Sequence, residues 1–309
     1  MALYAFDGTG NEDREGTDRD SNVLNFFRAY QDPLKNDDPK KERGSLYLVG
    51  IGIRAHTDIG DKVAEAFGLG GLTRVKDARH RLDKNLAAGD DIVDVVGFSR
   101  GAALAVDFAN QVCKKVPKAK IRFVGIWDVV AQFGAPGEHV NLGFDLDCPD
   151  AVCYHAMAID ESRAFFPLTR MSKAGKTFSK LREVWFRGVH SDVGGGNGNL
   201  GLNWIALNWM FDNAIREGLP IDPEAVKANL GFKDLPRVVK MHEVAVGPPR
   251  HFFDGDAVHD SVVFSDDDRK RFLHGSQLTI SLINDAGVLS PFPAAAAAAA
   301  AAASAPRNV

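Results

Sequence analysis

The chain has 309 residues, of which 45% are hydrophobic and 25% charged, and its formal net charge is −4. This composition is typical of a soluble globular protein of one large or two small domains, and the acidic balance argues against nucleic-acid binding. The three cysteines, Cys113, Cys148 and Cys153, form no metal-ligand spacing, and their odd number argues against a disulfide framework and for folding in a reducing compartment. Neither a signal peptide nor an apolar run of membrane-spanning length is found.

Apolar runs and helical periodicity predict alternating strands and helices along the chain. The strands are predicted at 2–6, 46–52, 91–98, 120–130 and 182–190, and the helices at 72–88, 100–115 and 202–218. Residues 53–71 contain GLGGL and are expected to form a flexible connection, whereas 131–180 is interpreted as a lid or substrate-facing insert. Residues 286–309 are rich in alanine and proline, which predicts a disordered tail after a catalytic domain at 1–285.

Strands that are continuously apolar, rather than alternating, indicate burial on both faces of the sheet. We therefore expect an α/β fold with a mostly parallel sheet flanked by helices. Functional sites in such folds collect at the carboxyl ends of the strands. Four predicted strand ends carry polar residues: Asp7-Gly8-Thr9, Ser99, Asp128, and His190 with Asp192.

The stretch GFSRG, residues 97–101, joins a predicted strand to a predicted helix. The pattern Gly-x-Ser-x-Gly at such a junction is that of a nucleophile elbow, where small residues let strand and helix approach closely. Ser99 is therefore a candidate nucleophile. The alternative is a tight turn in which the serine only caps the helix.

A serine nucleophile needs a histidine base, and the base needs an orienting acid. Two sets satisfy the order of residues in the chain. One is Ser99 with Asp128 and His190, and the other is Ser99 with Asp192 and His259. The residue pattern alone does not choose between them.

The backbone N–H groups of Arg100, Gly8 and Thr9 are candidate donors to an oxyanion, although FDGTGN could also be a simple Asp-Gly turn. A weaker hypothesis is a metal-dependent hydrolase, because His190-Ser191-Asp192 has the spacing of two metal ligands. In that case the ligands would be Asp7, Asp128, His190 and Asp192. We expect no metal and no cofactor.

Five motifs in order resemble one known family: FDGTGN (6–11), GFSRGA (97–102), VGIWDVV (124–130), HAMAIDESRAFF (155–166) and VWFRGVHSDVGGG (184–196). They look like the type VI secretion lipase effectors of the first family. The resemblance implies an α/β-hydrolase fold, phospholipase A activity and a Ser-Asp-His triad. It places the nucleophile on Ser99 and favours Asp128 and His190 as acid and base, with His259 as the alternative base.

Asp160, Glu161 and Arg163 fall in the DESR part of the fourth motif. They are interpreted either as support for the catalytic loop or as a local ion-paired helix start, and not as catalytic residues.

The expected function is a serine hydrolase that cleaves carboxylic esters, above all phospholipid acyl esters, as an antibacterial effector. The alternatives are an esterase for small soluble esters and a non-catalytic binding module on a hydrolase scaffold. Expected partners are a lipid or small ester substrate, a membrane surface, and an immunity protein or secretion spike protein. The chain is expected to be cytoplasmic as synthesised and exported by a type VI system.

Overall fold

The computed structural model describes residues 1–12, 18–38, 40, 41, 43–51, 61–131, 146–171, 180–241, 247–265, 268 and 278–292. The strands are β1 Ala2–Phe6, β2 Leu46–Leu48, β3 Ile92–Phe98, β4 Lys120–Trp127, β5 Val152–Ala158, β6 Leu181–Phe186, β7 Ala257–His259, β8 Ser281–Ile283 and β9 Leu289–Pro291. The helices are α1 Asn22–Ala29, α2 Asp61–Ala87, α3 Ser99–Lys115, α4 His190–Gly194, α5 Leu200–Arg216 and α6 Pro223–Leu230.

The strands form one sheet in the order β2-β1-β3-β4-β5-β6-β7-β8-β9. Every neighbouring pair from β2 to β8 is parallel, and β9 alone pairs antiparallel, with β8. The predicted α/β fold with a mostly parallel sheet is therefore confirmed.

Helices cover both faces of the sheet, which explains the continuous apolar strands. In β1, Tyr4 and Phe6 pack in one core cluster with residues of α2 and α3. The alternate residues Leu3 and Ala5 pack in a second cluster with residues of α1 and α5. Because side chains alternate between the two faces of a strand, both sets must be apolar.

Two predictions of local structure are wrong. Strand β5 lies inside the stretch interpreted as an insert, where the fully buried His155 interrupts the apolar run that would have marked it. Helix α2 begins at Asp61, within the predicted flexible connection. There Gly71 lies against α3, since a Cβ at this position would come within 3.1 Å of Leu104. Such tertiary packing outweighs the low helix propensity of glycine.

The expectation of no disulfide is also wrong. Cys113, near the end of α3, is bonded to Cys148, with their Cα atoms 5.7 Å apart. Cys153 is free and buried in β5. An odd count leaves one cysteine over, but it says nothing about which of the others the fold brings together.

The carboxyl-terminal part of the sheet extends into the stretch assigned to the tail, because β9 comprises Leu289–Pro291. The alanine run 294–303 lies outside the described residues, and the division at residue 285 stays a prediction. Among the helices that the structure describes, none has the length and hydropathy required to cross a membrane.

Candidate active site

Ser99 sits on a sharp turn between β3 and α3, with no residue between the end of the strand and the start of the helix. Its φ is +58°, in the left-handed region that residues with side chains rarely adopt. A Cβ at Gly97 would lie 2.7 Å from Ala102 Cα, and one at Gly101 would lie 2.3 Å from the Asp7 carbonyl oxygen. The two glycines therefore permit the close strand–helix approach that an elbow requires.

His190, the first residue of α4, joins Ser99 to Asp128. Its Nε2 lies 2.8 Å from Ser99 Oγ, and its Nδ1 donates to Asp128 Oδ2 at 2.6 Å. All three residues are buried, with relative exposures of 3% or less. The rings of Phe98 and Phe166 pack on the imidazole with centroid distances of 4.6 and 4.7 Å. The arrangement allows the imidazole to take a proton from the serine hydroxyl.

Asp128 follows β4 directly and has a φ of +40°, so the backbone is strained at both Ser99 and Asp128. Its Oδ1 accepts the Ala158 N–H at 2.8 Å. Its carboxylate also accepts two hydrogen bonds from Arg250, at 2.6 and 3.0 Å. Burial by itself would raise the pKa of Asp128, but the Arg250 charge and the His190 hydrogen bond hold it well below its usual range.

The surroundings of His190 favour the neutral form of its imidazole. Burial lowers its pKa below the ordinary value of 6.5; the Asp128 carboxylate opposes this shift, and the Arg250 charge adds to it. A neutral imidazole is the form that can act as a general base.

Residues of the DESR stretch hold the loop that precedes His190. Glu161 accepts the His190 N–H at 3.1 Å, and Asp160 accepts the Gly188 N–H at 2.8 Å. Arg163 pairs with Glu161 at 2.8 Å. Burial would raise the pKa of Glu161, but the hydrogen bonds from Arg163 lower it. Of the two interpretations, these contacts match support of the catalytic loop, since this stretch is not helical.

The second acid–base pair is not brought together. Asp192 accepts hydrogen bonds from the Val189 N–H and from the side chains of Asn197 and Asn199. His259 Nδ1 lies 2.7 Å from Ser261 Oγ, and its Nε2 lies 3.1 Å from Asp285 Oδ1. Neither residue has a partner in the Ser99–His190–Asp128 cluster.

The loop after β1 lies beside the elbow. The Gly8 N–H donates to Asp7 Oδ1 at 2.6 Å, so the structure gives one of the predicted oxyanion donors an acceptor of its own. Thr9 Oγ1 accepts from Arg100 Nη1 at 3.0 Å, which ties this loop to the start of α3. The Thr9 and Arg100 amides remain the candidate donors.

The four residues of the metal hypothesis do not form a ligand set. Asp7 is engaged by the Ser21 and Tyr47 hydroxyls, each at 2.6 Å, and burial raises the pKa of its carboxyl. Across the part of the chain that the structure describes, no group of three or more His, Cys, Asp or Glu side chains has metal-binding geometry.

A cavity of about 1340 Å³ adjoins this cluster on the side of β6 to β9. Phe166 and Arg250 line it and also contact His190 and Asp128, so the cavity shares two residues with the surroundings of the triad. The remaining wall includes apolar side chains, among them Leu168, Trp185 and Phe253.

Arg250 is the residue of the site that sequence reasoning missed. It lies in the stretch PPRHFF, residues 248–253, which has neither the periodicity of a helix nor the pattern of a strand. It is 122 positions from its partner Asp128, and no local signal in the sequence links the two.

A sequence model of the family described as "T6SS, Phospholipase effector Tle1-like, catalytic domain" matches residues 3–116 and 105–213. The matched stretches together run from residue 3 to residue 213, which is more than half of the chain. They contain Ser99, Asp128 and His190 but not Arg250. A comparison with curated proteins gives no match.

Among solved structures, the chain is similar to an uncharacterised protein from Pseudomonas aeruginosa, with a TM-score of 0.51 and 21% identity over 77% of this chain and 51% of the other. It is also similar to the Tle1 effector bound to the VgrG spike of the type 6 secretion system. The TM-score is 0.46 and the identity 22%, over 65% of this chain and 51% of the other. A third match is TT1662 from Thermus thermophilus, with a TM-score of 0.35 and 13% identity over 75% of this chain and 86% of the other. The chain spans about half the length of the first two.

Proposed function

The chain belongs to the Tle1-like family of type VI secretion phospholipase effectors, and on that premise we propose that it is a serine hydrolase of carboxylic esters. The observation that carries the proposal is the unbroken hydrogen-bond path from Ser99 Oγ through His190 to Asp128, at 2.8 and 2.6 Å. The strained elbow at Ser99, with its φ of +58°, supports the same role.

In the proposed reaction, Ser99 Oγ attacks the acyl carbonyl carbon while its proton passes to His190 Nε2. Asp128 orients the imidazole and stabilises the imidazolium. The tetrahedral intermediate then breaks the bond to the leaving alcohol oxygen, which takes the proton from His190. Water, deprotonated in turn by His190, attacks the acyl-enzyme and releases the carboxylic acid together with free Ser99.

The negative charge on the tetrahedral intermediate needs donors that are already in place. We assign this role to the backbone N–H of Arg100, the second residue of α3, and to that of Thr9. The helix dipole of α3 adds positive potential at the same point. The Arg100–Thr9 hydrogen bond at 3.0 Å would keep the two segments together during the reaction.

We propose a glycerophospholipid acyl ester as the substrate. The adjoining cavity, at about 1340 Å³, is larger than the roughly 300–1,000 Å³ typical of small-ligand pockets. Its wall includes apolar side chains that suit an acyl chain, and one of them, Phe253, is 61% exposed. A hydrolase for small soluble esters is the second candidate, because the triad itself does not require a lipid.

The proposed partners follow from the family. The Tle1 effector in the solved structure is bound to a VgrG spike, and we propose that this chain is likewise delivered by a secretion spike. Action on phospholipid would bring it to a membrane surface in the target cell. An immunity protein in the producing cell would then be needed to block the site.

The test compares the wild-type protein with Ser99→Ala on phospholipid vesicles and on a short soluble ester. We expect Ser99→Ala to lose at least about 10³-fold in kcat/KM and to resist labelling by a serine-reactive fluorophosphonate. The matched control is Ser261→Ala, which removes a hydroxyl bonded to His259, outside the triad. A wild-type protein that is neither labelled nor active would point to a binding module, and an active Ser99→Ala would refute the nucleophile.

A further inference from the structure

Arg250 makes an unusually complete set of contacts behind the triad. Its guanidinium approaches the Asp128 carboxylate in a two-pronged pairing, with Nη1–Oδ1 at 2.6 Å and Nη2–Oδ2 at 3.0 Å. It also donates to the backbone carbonyls of Ala158 and Phe166. Its side chain is only 8% exposed, so the pair is shielded from solvent. Such planar, bidentate pairing fixes the orientation of a carboxylate more strictly than a single contact.

The contacts of Arg250 fix two neighbours of the His190 imidazole, the Asp128 carboxylate and the Phe166 ring. Asp128 is held by Arg250 and by the Ala158 N–H, so its Oδ2 stays aimed at His190 Nδ1. Arg250 also holds the Phe166 carbonyl at 3.0 Å, and the Phe166 ring packs on His190. The Arg250 side chain therefore holds in place both the Asp128 carboxylate and Phe166, one of the two aromatic residues that pack on His190.

The charge of Arg250 matters as well as its shape. The charged side chains that act on His190 include Asp128 after β4, Glu161 after β5, and Arg250. Arg163 pairs with Glu161, and Arg100 bonds Thr9. Arg250 instead faces the carboxylate that would stabilise a protonated His190. Its positive charge opposes that protonation, and it adds to the lowering of the imidazole pKa that burial causes.

We propose that Arg250 is a positioning residue of the hydrolase, which locks Asp128 in its productive orientation and whose charge disfavours protonation of His190. The proposal rests on the proposed serine-hydrolase function. It assigns a role to Arg250, which lies outside the residues that the family model matches.

The experiment measures the pH dependence of kcat and kcat/KM for the full chain on a short soluble ester, with the released acid titrated directly. Arg250→Gln removes the charge, and we expect kcat to fall about 10- to 100-fold with KM within about threefold of the wild-type value. We also expect the acid limb of kcat/KM to move to higher pH. The matched control is Arg79→Gln, which removes one positive charge from an exposed pair with Asp83 on α2. It should leave both parameters unchanged.

Arg250→Lys separates the effect of positioning Asp128 from the effect of the positive charge. It also provides the test if Arg250→Gln does not fold. It keeps the charge but not the planar fork, so we expect kcat to fall while the acid limb stays within about 0.3 pH units of the wild-type position. Wild-type kcat in Arg250→Lys, or an unmoved acid limb in a folded Arg250→Gln, would overturn the proposal. A different result would refute the proposed function itself: a wild-type protein that shows no hydrolysis dependent on Ser99.

Discussion

The sheet consists of two unlike parts. In the long-strand part, residues 2–216, β1 and β3–β6 run for five to eight residues, and helices cover both faces. In the short-strand part, residues 247–292, β7, β8 and β9 each have three residues. Long parallel ladders fix where strands end, and residues 91 positions apart in sequence, Ser99 and His190, meet there. The short-strand part reaches Asp128 through one long side chain, that of Arg250, and supplies part of the cavity wall.

Asp128 is where the two parts meet, and its substitution should have the largest effect. Asp128→Asn would keep the shape but place an amide against both His190 and Arg250, so that the orienting acceptor and the charge are lost. We expect kcat on a soluble ester to fall about 10⁴-fold. His259→Gln is the control in the short-strand part, since His259 bonds Ser261 and Asp285 instead, and it should retain activity within about twofold. Equal losses in the two variants would contradict the assignment of the triad.

The disulfide belongs to the long-strand part and closes a loop across 35 positions that contains β4 and Asp128. We expect its reduction to lower the free energy of unfolding by about 3 kcal/mol, because the unfolded chain gains freedom. Urea denaturation with and without reductant measures this. Cys113→Ser should show the same loss without reductant and no further loss with it. A wild-type midpoint that does not respond to reductant would mean that the bond does not form.

Close packing of β1 against α3 distinguishes the long-strand part, and Gly101 tests it. In Gly101→Ala the new Cβ would lie 2.3 Å from the Asp7 carbonyl oxygen, so strand and helix must separate. We expect a loss of about 2 kcal/mol in unfolding free energy together with a drop in kcat, as Ser99 moves away from His190. Gly70→Ala on α2 is the matched control, because its Cβ would find ordinary contacts at 3.5 Å, and it should be neutral or slightly stabilising.

The smallest expected effect is in the pH profile of the wild-type enzyme. The base must be unprotonated to act, and the pKa of His190 is lowered below 6.5 by burial and by Arg250. The acid limb of kcat/KM should therefore have its midpoint below pH 6.5, with activity rising as pH increases through it. The kcat/KM of the soluble ester between pH 4 and 9 measures the midpoint. A midpoint at or above pH 7 would mean that the Asp128 carboxylate dominates the environment of His190.

Local sequence signals predicted the α/β fold and marked Ser99, Asp128 and His190 as candidates, beside the alternative pair Asp192 and His259. Ser99 and Asp128 each follow an apolar run, and His190 lies close behind one, so each is marked by its immediate neighbours. What the sequence did not reveal depends on distant contacts. Arg250 and the Cys113–Cys148 bond link segments whose meeting only the folded sheet determines.

Local signals could not decide whether Asp128 and His190 or Asp192 and His259 are the acid and base, because that choice also depends on distant contacts. Asp128 and Asp192 both come after predicted apolar strands, and only the fold shows that Asp128 meets His190 while the Asp192 carboxylate bonds the Val189 N–H and two asparagines. The resemblance to a known family favoured the pair that the structure assembles. Strand β5 was missed because His155, which lies inside it, bonds Glu183 in the core instead of facing solvent.

The ring of Phe98, the residue before Ser99, fills the space between the end of β3, the loop after β1 and helix α4. Its ring packs on His190, and a Cβ added at Gly8 or Gly194 would come within 2.6 or 1.9 Å of that ring. Because one ring limits both glycine positions, substitutions there are not independent of each other or of Phe98. We therefore expect a larger residue at Gly194 to be better tolerated when a smaller side chain has replaced the Phe98 ring, as in Phe98→Leu. Substitutions around Ser99 would then accumulate in an order that begins with its neighbour Phe98.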